Sequence, residues 1–209
     1  MTDGSRGRLI ALEGIDGCGK STKAAGLAAR LGALLTFEPG ATPLGSQLRG
    51  LLLDSERPPL AERAEALLMA ADRAQHVAMV VAPALEAGTW VVTDRFSGST
   101  LAYQGYGRGL DLPGLRQLVD WATGGVQADL SILVEVPPAL AAERSRPDRR
   151  DRFEALGPEF HQRVADGFHQ LATDHPDAWV VVDGTGGVDA VAASVWSAVL
   201  DRLGDPTGG

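Results

Sequence analysis

A lysine and a serine at the end of a glycine-rich run are the first residues in this chain whose types and spacing suggest chemistry. Gly14-Ile15-Asp16-Gly17-Cys18-Gly19-Lys20-Ser21 fits G-x-x-x-x-G-K-[ST] at every fixed position, with Thr22 following. Glycines let successive backbone N–H groups converge on phosphate oxygens, where a Cβ would obstruct them. An apolar run precedes the pattern and an Ala/Leu-rich run follows it, so the loop joins a strand to a helix N-terminus, which adds partial positive charge. In that setting Lys20 is placed to bridge the β- and γ-phosphates of a nucleotide, and the Ser21 hydroxyl to ligate Mg²⁺. Cys18 occupies a position that wants a small side chain.

A second group of residues lies further along. Thr93-Asp94-Arg95-Phe96 ends an apolar run and places an acid and an arginine at one edge of a sheet. Asp94 suits a Mg²⁺-bound water and Arg95 suits two phosphates at once. Ser97-Gly98-Ser99-Thr100-Leu101-Ala102-Tyr103-Gln104-Gly105 follows, polar and aromatic, unlike an ordinary connection. Arg144–Arg152 reads RSRPDRRDR, five arginines against two aspartates in a chain of net charge -8. Arginine forks suit the spread charge of a phosphoryl group in transfer, and residues 15–18 of the glycine-rich loop contain no arginine. The Asn-Lys-x-Asp base-reading motif of GTPases and the LSGGQ-like signature of ABC-type ATPases are both absent from the sequence.

These groups need a frame to bring them together. Apolar runs at Arg8–Glu13, Ala33–Phe37, Thr89–Thr93, Leu130–Val136 and Ala178–Val182 are expected as strands. They do not alternate cleanly, as befits a sheet covered on both faces. Helices are expected near 20–31, 45–54, 60–87, 113–123, 138–145, 158–174 and 187–203, with Pro83 kinking or shortening the long one. That order predicts right-handed crossovers and a parallel sheet, the α/β class. The 209 residues suit one domain, with frayed ends at 1–7 and 204–209. The net charge of -8 argues against a polynucleotide partner. No apolar run suggests a membrane span or signal peptide, and a single cysteine fits a reducing cytosol. The four histidines (76, 161, 169 and 175) lack metal-ligand spacing and are expected at the surface.

Five stretches carry a resemblance: LEGIDGCGKST (12–22), EPGATPLG (38–45), AADRAQHV (70–77), DRFSGSTLAYQGYGRG (94–109) and DRFE (151–154). In order and content they resemble bacterial thymidylate kinases, and the DR-x(3)-ST-x-AYQG block is far more specific than the glycine-rich loop. The resemblance implies a three-layer fold with a five-stranded parallel sheet wrapped by helices, usually forming a homodimer. It implies transfer of the γ-phosphoryl of ATP to dTMP with Mg²⁺, giving dTDP. Asp16 would accept from the dTMP 3′-hydroxyl, and Arg73 would bind a thymine carbonyl. Thr100, with Ser99 nearby, would meet the pyrimidine edge. Tyr103 would pack beneath the sugar, Arg49 and Arg95 would hold the acceptor phosphate, and Gln104 would line the same pocket. Residues of about 143–154 would form a lid in which Arg152 aligns best as a catalytic arginine, with Arg146, Arg149 and Arg150 near it.

Three positions depart from the family pattern. Met69 stands where an aromatic residue usually stacks on the base, and Phe37 and Ala41 replace an arginine before EPG and a glycine after it. Met69 and Arg73 still share one helix face at i, i+4, and a thioether can cover a ring. Met69 also keeps open a different acceptor, such as dUMP or another pyrimidine monophosphate. A nucleotide-driven switch that hydrolyses ATP slowly is the reading from another class.

Overall fold

The protein's structure, a computed structural model, describes residues 6–144 and 151–204. Five strands form one parallel sheet: β1 (Leu9–Glu13), β2 (Leu34–Phe37), β3 (Val91–Asp94), β4 (Leu130–Glu135) and β5 (Trp179–Asp183), in the order β2-β3-β1-β4-β5. All five lie where the apolar runs predict them, and the α/β class stands. β1 is central and buried along its length. Its side chains alternate between two cores, as a strand's must. Leu9 and Ala11 join Val77, Val81, Leu85 and Phe96 on one face, and Ile10 and Leu12 join Ala24, Leu27 and Ile132 on the other.

The helices are α1 (Lys20–Leu31), α2 (Pro43–Leu53), α3 (Glu62–His76), α4 (Ala82–Glu86), α5 (Ser97–Thr100), α6 (Leu112–Thr123), α7 (Pro138–Arg144), α8 (Pro158–Asp174) and α9 (Val188–Leu203). Pro83 neither ends nor visibly shortens the long helix. A π-helical turn, Val77–Val81, precedes it, and the Ala82 N–H reaches back to the Val77 carbonyl. The wider turn accommodates a proline whose missing N–H would otherwise break the ladder. Of the end expected to fray, Gly7 is instead buried, its N–H donating to the Leu85 carbonyl at 2.9 Å.

One element has no counterpart among the helices expected from the sequence. α5 runs on into a π-helical segment, Leu101–Gly107, so 97–107 is helical throughout. No side chain of its own caps it. The cap comes from the sheet: Glu13 at the end of β1 accepts from the backbone N–H groups of Phe96 (3.1 Å) and Ser99 (3.2 Å). Gly107 permits close packing on α8, where an added Cβ would sit 2.7 Å from the Phe160 ring and 2.8 Å from Val164.

Parallel pairing sets the site. Leu12 lies opposite Asp94 across β1 and β3, so the loop after β1 and the loop after β3 open side by side at the carboxyl edge of the sheet, where ligands of such sheets bind.

Candidate active site

The loop from Gly14 to Gly19 connects β1 to α1 with Gly14, Gly17 and Gly19 at positive φ. Gly14 also lies against β4, where a Cβ would meet the Val134 carbonyl oxygen at 2.7 Å. No side chain caps α1, which leaves its first-turn N–H groups facing the loop's concave side. Lys20 is almost fully buried, its ammonium 3.2 Å from the Ile15 carbonyl and 3.6 Å from Asp16. Ser21 donates to Asp94 Oδ2, while Asp94 Oδ1 is buried without a partner. Ser21 and Thr22 are exposed, and Ile15 and Cys18 are buried beneath the loop.

Asp16 joins this loop to the second group. Its carboxylate accepts from Arg95 at 2.6 Å and from the Tyr103 hydroxyl at 2.7 Å. Burial alone would raise its pKa, but the charges of Arg95 and Lys20 and the Tyr103 hydrogen bond outweigh that and hold it well below the usual carboxylate range. Arg95 has φ 73, a conformation uncommon outside glycine. Its guanidinium is tied down by Gly14 O and Ser99 Oγ, each at 3.0 Å, besides Asp16 and Tyr103. The Ser99 hydroxyl donates to Glu13 at 2.6 Å, so its proton is committed away from the pyrimidine edge expected of it. Burial pushes Glu13 up to about 7 against the opposing pull of Ser99, Arg95, Arg73 and the Phe96 N–H.

The cavity beyond Arg95 gathers the remaining expected residues: Arg49, Met69, Arg73, Thr100, Tyr103 and Gln104 all line it. Arg73 is buried and donates to Thr100 Oγ1 at 2.7 Å, to the Phe96 carbonyl at 2.9 Å and to Glu38 at 2.9 Å. Met69 lies one helical turn before it on the same cavity wall. Gln104 donates its amide to Glu65 at 2.9 Å, leaving its carbonyl oxygen for other partners. Tyr103 is wedged edge-on among Phe153, Phe160 and Phe168, with ring centroids 5.8–6.2 Å apart. Arg49 donates to the Pro39 carbonyl at 2.7 Å and borders both this cavity and an adjoining one walled by Lys20, Ser21, Asp94 and Arg95. The glycine-rich loop thus meets the cavity at the Asp16–Arg95 pair.

The protein-family model described as thymidylate kinase matches residues 12–195. The chain belongs to the thymidylate kinase family. A thymidylate kinase of Synechococcus sp. (strain JA-2-3B'a(2-13)) is 49% identical over 206 residues, covering 96% of this chain and 98% of that protein. One of Trichlorobacter lovleyi (strain ATCC BAA-1151 / DSM 17278 / SZ) is 46% identical over 210 residues, covering 95% and 99%. Among solved structures, thymidylate kinase from Ehrlichia chaffeensis superposes with a TM-score of 0.76 at 31% identity, covering 93% of this chain and 99% of that one.

Two expectations, one from the thymidylate kinase resemblance and one from histidine spacing, meet a different geometry. Arg152 is not brought to the phosphate loop. Its guanidinium donates to the carbonyls of Asp54 (2.9 Å) and Arg57 (3.2 Å) beyond the end of α2, and its Nη1 is buried without a partner. Its neighbours Asp151 and Phe153 do line the cavity, and burial raises the Asp151 pKa. Arg146, Arg149 and Arg150 lie outside the described residues. The second correction is His76, which is fully buried rather than at the surface. It sits between Glu38 and Thr36, whereas His169 and His175 are exposed and His161 is half-buried.

Sequence reading also missed Glu13, Glu38 and Asp72. Asp72 borders the cavity, accepts from the Gly40 N–H at 3.0 Å and leaves Oδ2 buried without a partner. Burial and the neighbouring Glu38 charge push it up to about 6. The available signal was position: each acid lies inside a stretch already marked, Glu13 in 12–22, Glu38 in 38–45 and Asp72 in 70–77.

Proposed function

We propose a division of labour for the phosphorylation of dTMP to dTDP, the reaction of the family to which this chain belongs. The backbone of 14–19 and Lys20 cradle the ATP phosphates. Arg95 sits at the seam between donor and acceptor and neutralises the phosphoryl group as it passes. Arg49 holds the acceptor phosphate from the opposite wall. Asp16 keeps lone pairs beyond those used by Arg95 and Tyr103, enough to accept from a sugar 3′-hydroxyl. Tyr103 blocks the space a ribose 2′-hydroxyl would need, Arg73 and Thr100 read the base, and Met69 covers it. The observation that supports this reading most is the pair of hydrogen bonds that Asp16 accepts from Arg95 and Tyr103, because it joins the glycine-rich loop to the cavity beside it.

An ionised acceptor phosphate needs no general base. Catalysis is positioning and charge neutralisation. Ser21 and Asp94 fit Mg²⁺: a hydroxyl beside a carboxylate whose second oxygen is orphaned, with nucleotide phosphates completing the shell, as that ion prefers. When bound, Mg²⁺ would supply further neutralisation of the phosphate charge. No group of three or more acidic, histidine or cysteine ligands exists among the described residues, which accords with a site shared with substrate.

Two features of the whole chain complete the proposal. Leu67, Ala71 and Ala78 recur at helical spacing on the outer side of α3 and its continuation and are exposed, as is Met79. That apolar stripe supports a homodimer. No helix among the described residues is long and apolar enough to cross a membrane, and a single buried free cysteine suits a cytoplasmic enzyme.

Lys20→Ala tests the phosphate-loop role. It is expected to lower kcat at least ~10²-fold, roughly 2.7 kcal/mol of transition-state stabilisation. Near-normal turnover in the folded variant would remove Lys20 from the mechanism.

A further inference from the structure

The buried histidine and the acid beside it have no part in the chemistry described so far, yet the acid holds the arginine assigned to the base and the histidine holds the acid. Glu38, the residue before the cis Pro39 bond, is buried. Its Oε2 accepts from Arg73 Nε at 2.9 Å and lies 2.8 Å from Nη2, and its Oε1 faces His76 Nδ1 at 2.9 Å. His76 Nε2 lies 2.6 Å from Thr36 Oγ1 in β2. A carboxylate can only accept, so Nδ1 carries a proton and donates it to Glu38.

The contacts of Arg73 can be counted. Nε donates to Glu38, one Nη2 N–H donates to the Phe96 carbonyl while Nη2 also lies 2.8 Å from Glu38 Oε2 as an ion pair, and one Nη1 N–H donates to Thr100. Of its five N–H groups, three are hydrogen-bonded and Nη2 is held against Glu38, which leaves the second Nη1 N–H for the cavity that Arg73 lines. Thr100 Oγ1 accepts from Arg73, so its own proton is free to turn to the same place. The pocket therefore presents donors from a group that can never accept. A 4-carbonyl, as in thymine or uracil, satisfies them. The 4-amino group of cytosine would set donor against donor, leaving buried groups unpaired, which is a strong basis for rejection.

We infer that Glu38 and His76 are positioning residues: Thr36, His76 and Glu38 form a buried relay that fixes the Arg73 guanidinium with one N–H toward the base, and thereby sets the preference for a 4-oxo pyrimidine. The relay joins β2, the loop after it and α3, so it ties the base-reading arginine to the sheet rather than to helix α3 alone. This rests on the reading of Arg73 as the base contact.

Two near-isosteres of histidine separate relay from packing. In His76→Asn the amide nitrogen takes the place of Nδ1 and keeps the bond to Glu38. In His76→Gln it takes the place of Nε2, so the Thr36 contact survives and the Glu38 bond is lost. The relay predicts that His76→Gln raises the dTMP KM about 5- to 10-fold and narrows the kcat/KM preference for dTMP over dCMP by a similar factor, with kcat and the ATP KM near the parent's. His76→Asn keeps the Glu38 bond and loses only the Thr36 contact, so its effect on the dTMP KM and on the dTMP/dCMP preference should be clearly smaller, about 2- to 3-fold. Equal effects of the two variants, or none from either, would overturn the relay. Arg73→Ala is the separate control: an unchanged dTMP KM there would overturn the base-contact reading beneath the proposal. Should the His76 variants fail to fold, NMR of the parent protein labelled with ¹⁵N-histidine decides it. A protonated Nδ1 on His76 is expected, and a neutral ring protonated only at Nε2 would refute the relay.

Discussion

Glu13 shows how a single buried residue can carry the coupling between two halves of the site. It caps α5, accepts a hydrogen bond from the Ser99 hydroxyl, and through the Ser99 oxygen supports Arg95. Burial without a direct ion pair pushes its pKa to about 7 from an ordinary 4.5. The native state then holds a proton that the unfolded chain has released, so unfolding releases one across that window, and this contribution to stability falls as pH rises from about 4.5 to about 7. Glu13→Gln should abolish that component. Melting temperatures of parent and variant across pH 4.5–8 are expected to show the parent gaining on the variant as pH falls. A difference independent of pH would contradict the buried, late-titrating carboxyl. Asp72, raised to about 6, acts in the same direction in both proteins and cancels from the comparison.

At the scale of elements, the sheet and most helices were legible because their signals are local: apolar runs of strand length, and a glycine-rich loop between one strand and the next helix. The helix over 97–107 was not. Gly98, Gly105 and Gly107 lower its intrinsic propensity, and its cap is a glutamate 83 and 86 positions upstream of the N–H groups it receives. Only the folded sheet supplies that partner. The grouping of residues was legible to the extent that motif order encodes it: Asp16 meets Arg95 and Tyr103, and Arg73 meets Thr100. Arg152 misled because its arginine-rich surroundings signal charge but not direction, and His76 misled because a histidine's burial depends on partners distant in the chain. The packing of the 101–107 segment on α8 is testable. Gly107→Ala should overpack the Phe160 and Val164 contacts at a cost of about 1–3 kcal/mol. The same shift should raise the dTMP KM while sparing the ATP KM, because Tyr103 and Gln104 ride on that segment. An unaltered melting temperature would show that the two helices can part freely.

The glycine-rich loop and the cavity beside it share Asp16, Arg49 and Arg95 at one edge of the sheet, while the exposed apolar side chains Leu67, Ala71 and Ala78 lie on α3 and its continuation. If the stripe on α3 is covered by a second copy, Leu67→Glu should convert a dimer to a monomer in analytical ultracentrifugation. A parent protein sedimenting as a monomer would remove the homodimer from the account. The stripe lies on the helix that also carries Met69 and Arg73, so loss of the partner should weaken dTMP binding more than ATP binding.

The central claim is that one site transfers phosphate from ATP to a deoxy, 4-oxo pyrimidine monophosphate. Coupled ADP release measured with ATP and Mg²⁺ across dTMP, dUMP, dCMP, UMP and no acceptor tests it most directly. The account predicts negligible ADP release without an acceptor, the highest kcat/KM with dTMP, and at least ~30-fold lower kcat/KM with UMP, about 2 kcal/mol of discrimination at Tyr103. ADP release that is independent of added monophosphate, or equal use of dTMP and UMP, would contradict it.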